Sequence, residues 1–315
     1  MIIYFIIFIF GLSVGSFLNA VIFRLDPTRP LPLVRGGLGR GWARSYCPHC
    51  RETLKWPDLI PVFSFLFLRG KCRYCGKNIS WQYPIVEVMT AVIFLLIFWE
   101  IWTPELVLDM SKINFGIQLI HFIYWFYIAS VLIIIFVYDL KHYIIPDKIL
   151  FPAIIISLIY LLFRALGLEF IWDLGFGYWD FKILITPLLA AFVASVFFLS
   201  MVLISRGKWM GLGDAKLAFL MGLVLGWPNI FVALLLAFFS GALVGLALIL
   251  ISGSQTSQES QTSQESQTSE ESLTFKHWNY TLKSQIPFGP FLIAGTFIAL
   301  FWGEQIINWY SKLFF

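Results

Sequence analysis

A chain of 315 residues with 59% hydrophobic and only 13% charged residues is not an ordinary water-soluble domain, in which charged residues make up about 25%. The 18% aromatic content, with 33 Phe and 13 Trp, suits lipid contact and interfacial belts. The net charge of +4 is concentrated in one loop beside the membrane, so it reports topology and implies no nucleic-acid partner.

A membrane span needs about 20 mainly apolar residues. Eight stretches qualify: 3–23, 83–102, 117–138, 148–167, 183–205, 213–227, 229–251 and 287–308. The first lacks a basic n-region and a convincing small-residue cleavage site, so it reads as a retained span. The sixth is short, and its separation from the seventh rests on Trp227-Pro228-Asn229. The expected fold is therefore an all-α polytopic membrane protein of about eight transmembrane helices, with a long loop between the first two.

Between the first two spans, Arg24 to Lys77 carries eleven Lys and Arg against Asp26, Glu52 and Asp58. Basic excess marks the cytoplasmic side. The N-terminus then lies outside, and alternation puts 103–116 and 168–182 outside, 139–147 and 206–212 inside. Within this insert, Pro27, Pro30, Pro32 and the Gly36–Gly41 cluster oppose regular helix. All four cysteines are here, as Cys47-Pro-His-Cys50 and Cys72-Arg-Tyr-Cys75, about 20 residues apart. Two such pairs are a zinc signature, and closure by four sulfurs leaves no open position, so the metal would be structural. Two disulfides or a redox dithiol are the competing readings, which a cytoplasmic location disfavours. His49 lies inside the first pair, but four thiolates already suffice.

Carboxylates near spans are costly to place and each invites a search for a partner. Asp139 follows the apolar run Ile133-Ile-Ile-Phe-Val-Tyr138, and Asp214 sits in Gly211-Leu-Gly-Asp-Ala-Lys216. In this topology both fall at the cytoplasmic boundary. Two carboxylates a few ångström apart share one proton, which lets one act as base toward water and the other as acid. Gly211 and Gly213 would allow close approach, with Lys216 and Asp147 beside them. Each aspartate alone also reads as a helix cap, and Asp147 as a boundary residue. Glu87 differs, lying about one turn into the second span. Further on, the tract Ser252–Ser272 holds a hexapeptide repeat, Gln255–Ser260, Gln261–Ser266 and Gln267–Ser272, with nothing apolar to bury, and reads as a disordered cytoplasmic linker.

Together these blocks resemble one family. They are Gly15-Ser-Phe-Leu-Asn-Ala-Val-Ile-Phe-Arg24, the two cysteine pairs, Trp56-Pro-Asp-Leu-Ile-Pro61 with Leu68-Arg-Gly-Lys-Cys-Arg73, and Tyr83-Pro-Ile-Val-Glu87. Tyr138-Asp139 with Ile145-Pro146-Asp147, Gly211-Leu-Gly-Asp214 and Pro287-Phe-Gly-Pro-Phe291 complete the set. In this order they resemble the type IV prepilin peptidases, the bifunctional leader peptidase/N-methyltransferases of pilus and type II secretion systems. The resemblance implies a GxGD-type aspartic peptidase of the bacterial inner membrane with Asp139 and Asp214 catalytic. It implies prepilin and pseudopilin substrates, whose new N-terminal residue is methylated using S-adenosylmethionine. The methyltransferase half would draw on the cysteine loop, Gly15, Asn19, Arg24 and Glu87. The chain then divides into a first transmembrane helix (1–24), the four-Cys loop (25–82), a transmembrane peptidase core (83–251), the low-complexity loop and re-entry (252–285) and a last transmembrane helix (286–315). A presenilin-like protease shares Tyr-Asp and Gly-x-Gly-Asp but has a Pro-Ala-Leu element absent here. A non-enzymatic transporter or scaffold with a zinc knuckle would use the aspartates as ion ligands or caps.

Overall fold

The computed structural model describes residues 2–26, 45–101, 115–166, 181–208, 210–255 and 287–314. Among them are nine α-helices: α1 (Ile2–Leu25), α2 (Phe63–Phe67), α3 (Gln82–Ile101), α4 (Phe115–His142), α5 (Asp147–Ala165), α6 (Phe181–Ser205), α7 (Leu212–Leu225), α8 (Asn229–Gln255) and α9 (Gly289–Phe314). No β-strand occurs among the described residues; the insert holds only α2, a 3-10 turn at Trp56–Leu59 and two isolated bridges.

Among the described residues, seven helices are long and apolar enough to cross a membrane: α1, α3, α4, α5, α6, α8 and α9. The eighth expected span, 213–227, is the fourteen-residue α7, whose rise is about 21 Å against a hydrocarbon core of about 30 Å. Its apolar side chains are spent on protein rather than lipid: Leu217, Ala218, Leu220 and Met221 are fully buried. The division from α8 falls where expected, with Gly226 in the left-handed region and α8 starting at Asn229.

The helices form two lobes that share α4. In the larger, α6 lies along α7 and α8 along α9, and buried residues of α4 to α9 make one core. In the smaller, α1 lies along α3, and Leu18, Ile22, Val86, Phe94 and Ile97 pack on Ile133, Ile134 and Val137 of α4. Lipid tails are as apolar as these side chains, so helix association rests on close packing, which small residues permit. Gly11 and Gly15 form such a spacing on α1. A Cβ at either would lie 2.6 Å from the Cα of Ala91 or Glu87 on α3, respectively. Gly222 of α7 meets the Ala190–Ala191 backbone of α6 in the same way.

Two boundaries differ from the sequence reading. Helix α4 continues through Asp139 to His142, so this aspartate lies in the last turn rather than beyond it. Helix α8 continues to Gln255, four residues into the stretch read as linker, because the apolar run carries the helix past its end. The rest of the repeat, the prolines and glycines of 27–41 and the outer loops within 103–114 and 168–180 lie outside the described residues.

Candidate active site and metal centre

Three helix ends converge on the expected aspartate pair. Asp139 lies in the last turn of α4 and is 4% exposed. Asp214 lies in the first turn of α7, near enough to Asp139 for their charges to interact. Its amide donates to the Gly211 carbonyl at 3.2 Å, and its carboxylate accepts a hydrogen bond from the Gly211 backbone. The cap of α7 is therefore Gly211, and Asp214 stands inside the helix rather than at its cap. The third contributor is the start of α9. The Gly289 backbone hydrogen-bonds to the Asp139 carboxylate, and a Cβ at 289 would overlap its Oδ2. Gly289 was not among the residues expected at the site; the signal was its block, Pro287-Phe288-Gly289-Pro290-Phe291.

The supporting residues tie the α4–α5 turn to α7. A Cβ on Gly213 would meet Ile145 at 3.2 Å, so this glycine seats the turn. Asp147, the first residue of α5, accepts from Lys216 Nζ at 2.8 and 2.9 Å on its two oxygens. Lys216 also sits 5.1 Å over the Phe151 ring.

The four cysteines form the second constellation. All are free thiols, and their sulfurs lie within 4.8 Å of one another, Cys47 and Cys75 at 4.0 Å. A tetrahedron with Zn–S arms of about 2.3 Å needs sulfurs about 3.8 Å apart, so the set fits a closed four-thiolate shell. His49 is not in the group. The two pairs fold alike. Cys47 N–H donates to the Glu52 carbonyl as Cys72 N–H does to Lys77, and Arg51 N–H returns to Cys47 as Gly76 N–H does to Cys72. Bridges Tyr46–Thr53 and Lys71–Asn78 close them equivalently. The fifth residue of each turn is left-handed, Gly76 at φ +69° and Arg51 at φ 59°.

Burial pushes the Cys72 thiol up, but hydrogen bonds from the Cys75 and Tyr74 backbone and from the Cys47 and Cys75 side chains outweigh it and bring it down to about 7. At Cys50 the Glu52 backbone pulls downward, while burial and the Cys47 and Cys75 thiols push it up to about 11. Asp58 braces the second turn, pairing with Arg73 Nε at 2.9 Å and accepting from the Tyr74 hydroxyl at 3.1 Å.

Glu87 docks this module on the bundle. It is 7% exposed on α3, and its Oε2 accepts from the Val62 amide at 2.7 Å and its carboxylate from Ser16. Gly15, grouped with it in the sequence, lies against the Glu87 backbone and so lets α1 and α3 close up. Asn19 Nδ2 donates to the Tyr83 carbonyl at 3.0 Å, while its Oδ1 is buried without a partner. Asn19, Arg24 and Glu87 all line a cavity of about 830 Å³ between α1, α3 and the cysteine module. Asp139, Asp214 and Gly289 do not line it; Lys141, two residues beyond Asp139, does.

Comparison with known proteins agrees with this division. The family model of the bacterial peptidase A24 N-terminal domain matches residues 9–101, and that of the type IV leader peptidase family matches 126–246. A prepilin leader peptidase/N-methyltransferase of Bacillus subtilis (strain 168) is 31% identical over 98% of each chain. One of Aeromonas hydrophila is 29% identical over 98% of this chain and 94% of its own. One of Legionella pneumophila is 28% identical over the same shares. No solved structure matches. Two family models that meet the two lobes in order, with a relative 31% identical end to end, place the chain in the type IV leader peptidase family.

Proposed function

We propose that this protein removes the leader from type IV prepilins and pseudopilins, with Asp139 and Asp214 as the catalytic pair. It then N-methylates the new terminus with S-adenosylmethionine as donor. The observation that carries the peptidase reading is the meeting of Asp139, Asp214 and the Gly289 backbone at the ends of three helices. The family and the names of its relatives support it.

The chemistry follows from two carboxylates sharing one proton. The ionised one takes a proton from water, whose oxygen adds to the scissile carbonyl carbon, while the protonated one gives its proton to the carbonyl oxygen. Proton transfer back to the nitrogen then lets the C–N bond break, leaving a carboxylate on the leader and a free amine on the mature chain. Gly289 holds the Asp139 carboxylate from behind, and the absence of a side chain there leaves the oxygen its place. Lys216 with Asp147, and Gly213 with Ile145, hold the α4–α5 turn against the start of α7, and Gly211 caps that helix.

Cys47, Cys50, Cys72 and Cys75 would hold one Zn²⁺ as thiolates. A closed sulfur shell makes that metal a structural one. S-adenosylmethionine supplies an electrophilic methyl group, and the chain's part is to hold donor and amine together and dry. The basic excess of the loop between the first two spans supports a site on the cytoplasmic face of the bacterial inner membrane, with the N-terminus outside.

Co-expression with a prepilin, followed by mass spectrometry of the pilin, tests the reading. The expected spectrum shows the leader gone and one methyl group added. An unaltered precursor contradicts the peptidase half, and a cleaved but unmethylated product contradicts the other.

A further inference from the structure

We propose that the cysteine module is seated in the membrane surface. Helix α2, with Trp56 and Trp81 beside it, inserts an apolar face among the acyl chains of the adjoining leaflet, and a basic rim takes the anionic headgroups. This seat is independent of the reaction the chain performs. The face is built by helical spacing. Phe63, Leu66 and Phe67 lie at i, i+3 and i+4, on one side of α2, and all three are exposed, Phe67 at 85%. Phe65 turns the other way, buried, with its ring 4.9 Å from that of Trp81. Trp81 is itself 70% exposed, and Trp56, on the 3-10 turn that packs against α2, is 79% exposed. Among the described residues nothing covers these five side chains. Contiguous apolar exposure on this scale marks a surface that meets something apolar.

The depth at which α2 is held identifies what covers it. The apolar span of α3 runs from Gln82 to Glu100, a rise of about 28 Å against a hydrocarbon core of about 30 Å. Glu87, five residues past Gln82, therefore lies about 7 Å inside the boundary. Its Oε2 accepts from the amide of Val62, the residue from which α2 starts, at 2.7 Å. Side chains lean toward the N-terminus of their helix, here toward the membrane surface, so α2 is held beside the first turn of the span. Interfacial helices lie at this level, about 5–10 Å into the headgroup–acyl boundary. The outer row of α3 leads to the same place. Trp81, Ile85, Met89 and Val92 follow one another at helical spacing and are all exposed, so the row that faces lipid inside the span runs out through Trp81 to Phe65 of α2.

Charge selects a leaflet over another apolar helix as the occupant. Lys55 precedes Trp56, and Arg69 and Lys71 follow α2; all three are exposed. The acid between them, Asp58, is already engaged by Arg73 and the Tyr74 hydroxyl. Tryptophan where apolar and polar zones meet, with cations at the rim, is the composition of an interfacial element. A partner helix with an apolar face would cover the aromatic side chains but offer nothing to the three cations, whereas an anionic leaflet answers both.

Phe67→p-benzoylphenylalanine tests the seat, since the photoreactive probe replaces one aromatic side chain by another at an exposed position. The full chain carrying it is reconstituted in vesicles of equal phosphatidylglycerol and phosphatidylcholine, with prepilin present, and irradiated. Mass spectrometry should show phospholipid as the main adduct, as it should for the same probe at Ile155, exposed in the middle of α5. Phosphatidylglycerol should outnumber phosphatidylcholine in the adducts about fivefold, the worth of roughly one cation near an anionic surface. In Lys55→Gln/Arg69→Gln/Lys71→Gln the lipid adducts should persist and that preference disappear. Prepilin or a second copy of the chain as the main adduct, or no adduct above the unirradiated control, overturns the membrane seat. An undiminished preference in the triple variant overturns the basic rim.

Discussion

The metal centre and the aspartate pair are put together in opposite ways. Every cysteine of the candidate centre sits in one of two short turns with the same hydrogen-bond pattern, so each half of it is local. The aspartate site has no local half. Its parts come from the end of α4 and the starts of α7 and α9, and only packing brings them together. A local site withstands distortion elsewhere in the fold, whereas an assembled one transmits it to the chemistry.

The sharpest way to break the comparison is to remove the local site. Cys47→Ser with Cys72→Ser should take zinc from one per chain to background by elemental analysis, since ligand loss abolishes structural zinc binding. Methylation should then fall to background while cleavage falls far less. Equal loss of both activities would show that the module supports the whole bundle.

The next largest effect should come from Gly289→Ala, which drives a methyl into the Asp139 carboxylate. Misplacing a reacting group by about 1 Å costs on the order of 100-fold in rate, and initial cleavage rates in reconstituted vesicles would show it. Metal content should stay at one per chain, because nothing in the cysteine turns touches that residue.

A smaller effect is expected at the clamp. The Lys216–Asp147 pair is half exposed, and such pairs contribute about 0–1 kcal/mol to stability. Lys216→Met or Asp147→Asn should leave the unfolding temperature nearly unchanged but lower the cleavage rate about tenfold, through slack between the α4–α5 turn and α7. The charge-swapped double variant should regain most of it.

The smallest test contrasts the two cysteine turns. Gly76→Ala puts a Cβ in open space but at φ +69°, a strain of about 1–2 kcal/mol. Arg51→Gly relieves the equivalent strain in the first turn, so denaturant unfolding of the module should move in opposite directions for the two.

The same contrast explains what could be read in advance. Cysteine spacing is a local property, and the four thiols it singled out do form one cluster that could hold a metal ion. The aspartates looked like helix caps until the ordered blocks grouped them, whereas in the structure the cap of α7 is Gly211 and Asp214 lies inside its first turn, close enough to Asp139 for their charges to interact. Gly289 escaped notice because its role depends on a carboxylate from another helix, which no neighbouring residue announces. Gly15 shares a block with Asn19 and Arg24, but its close contact is with the α3 backbone rather than the cavity. Hydropathy counted α7 as a span because it measures how apolar a stretch is, not whether lipid or protein covers it. A fourteen-residue helix with seven residues buried in the bundle satisfies the same count.

The most direct test of the central claim is the cleavage rate of purified, reconstituted enzyme carrying Asp139→Asn, Asp214→Asn or both. Groups that act as one unit lose nearly everything together, so each single variant should fall to the uncatalysed rate and the double should be no worse. Cleavage by either single variant within about tenfold of wild type, well short of the loss such a unit shows, would contradict the account.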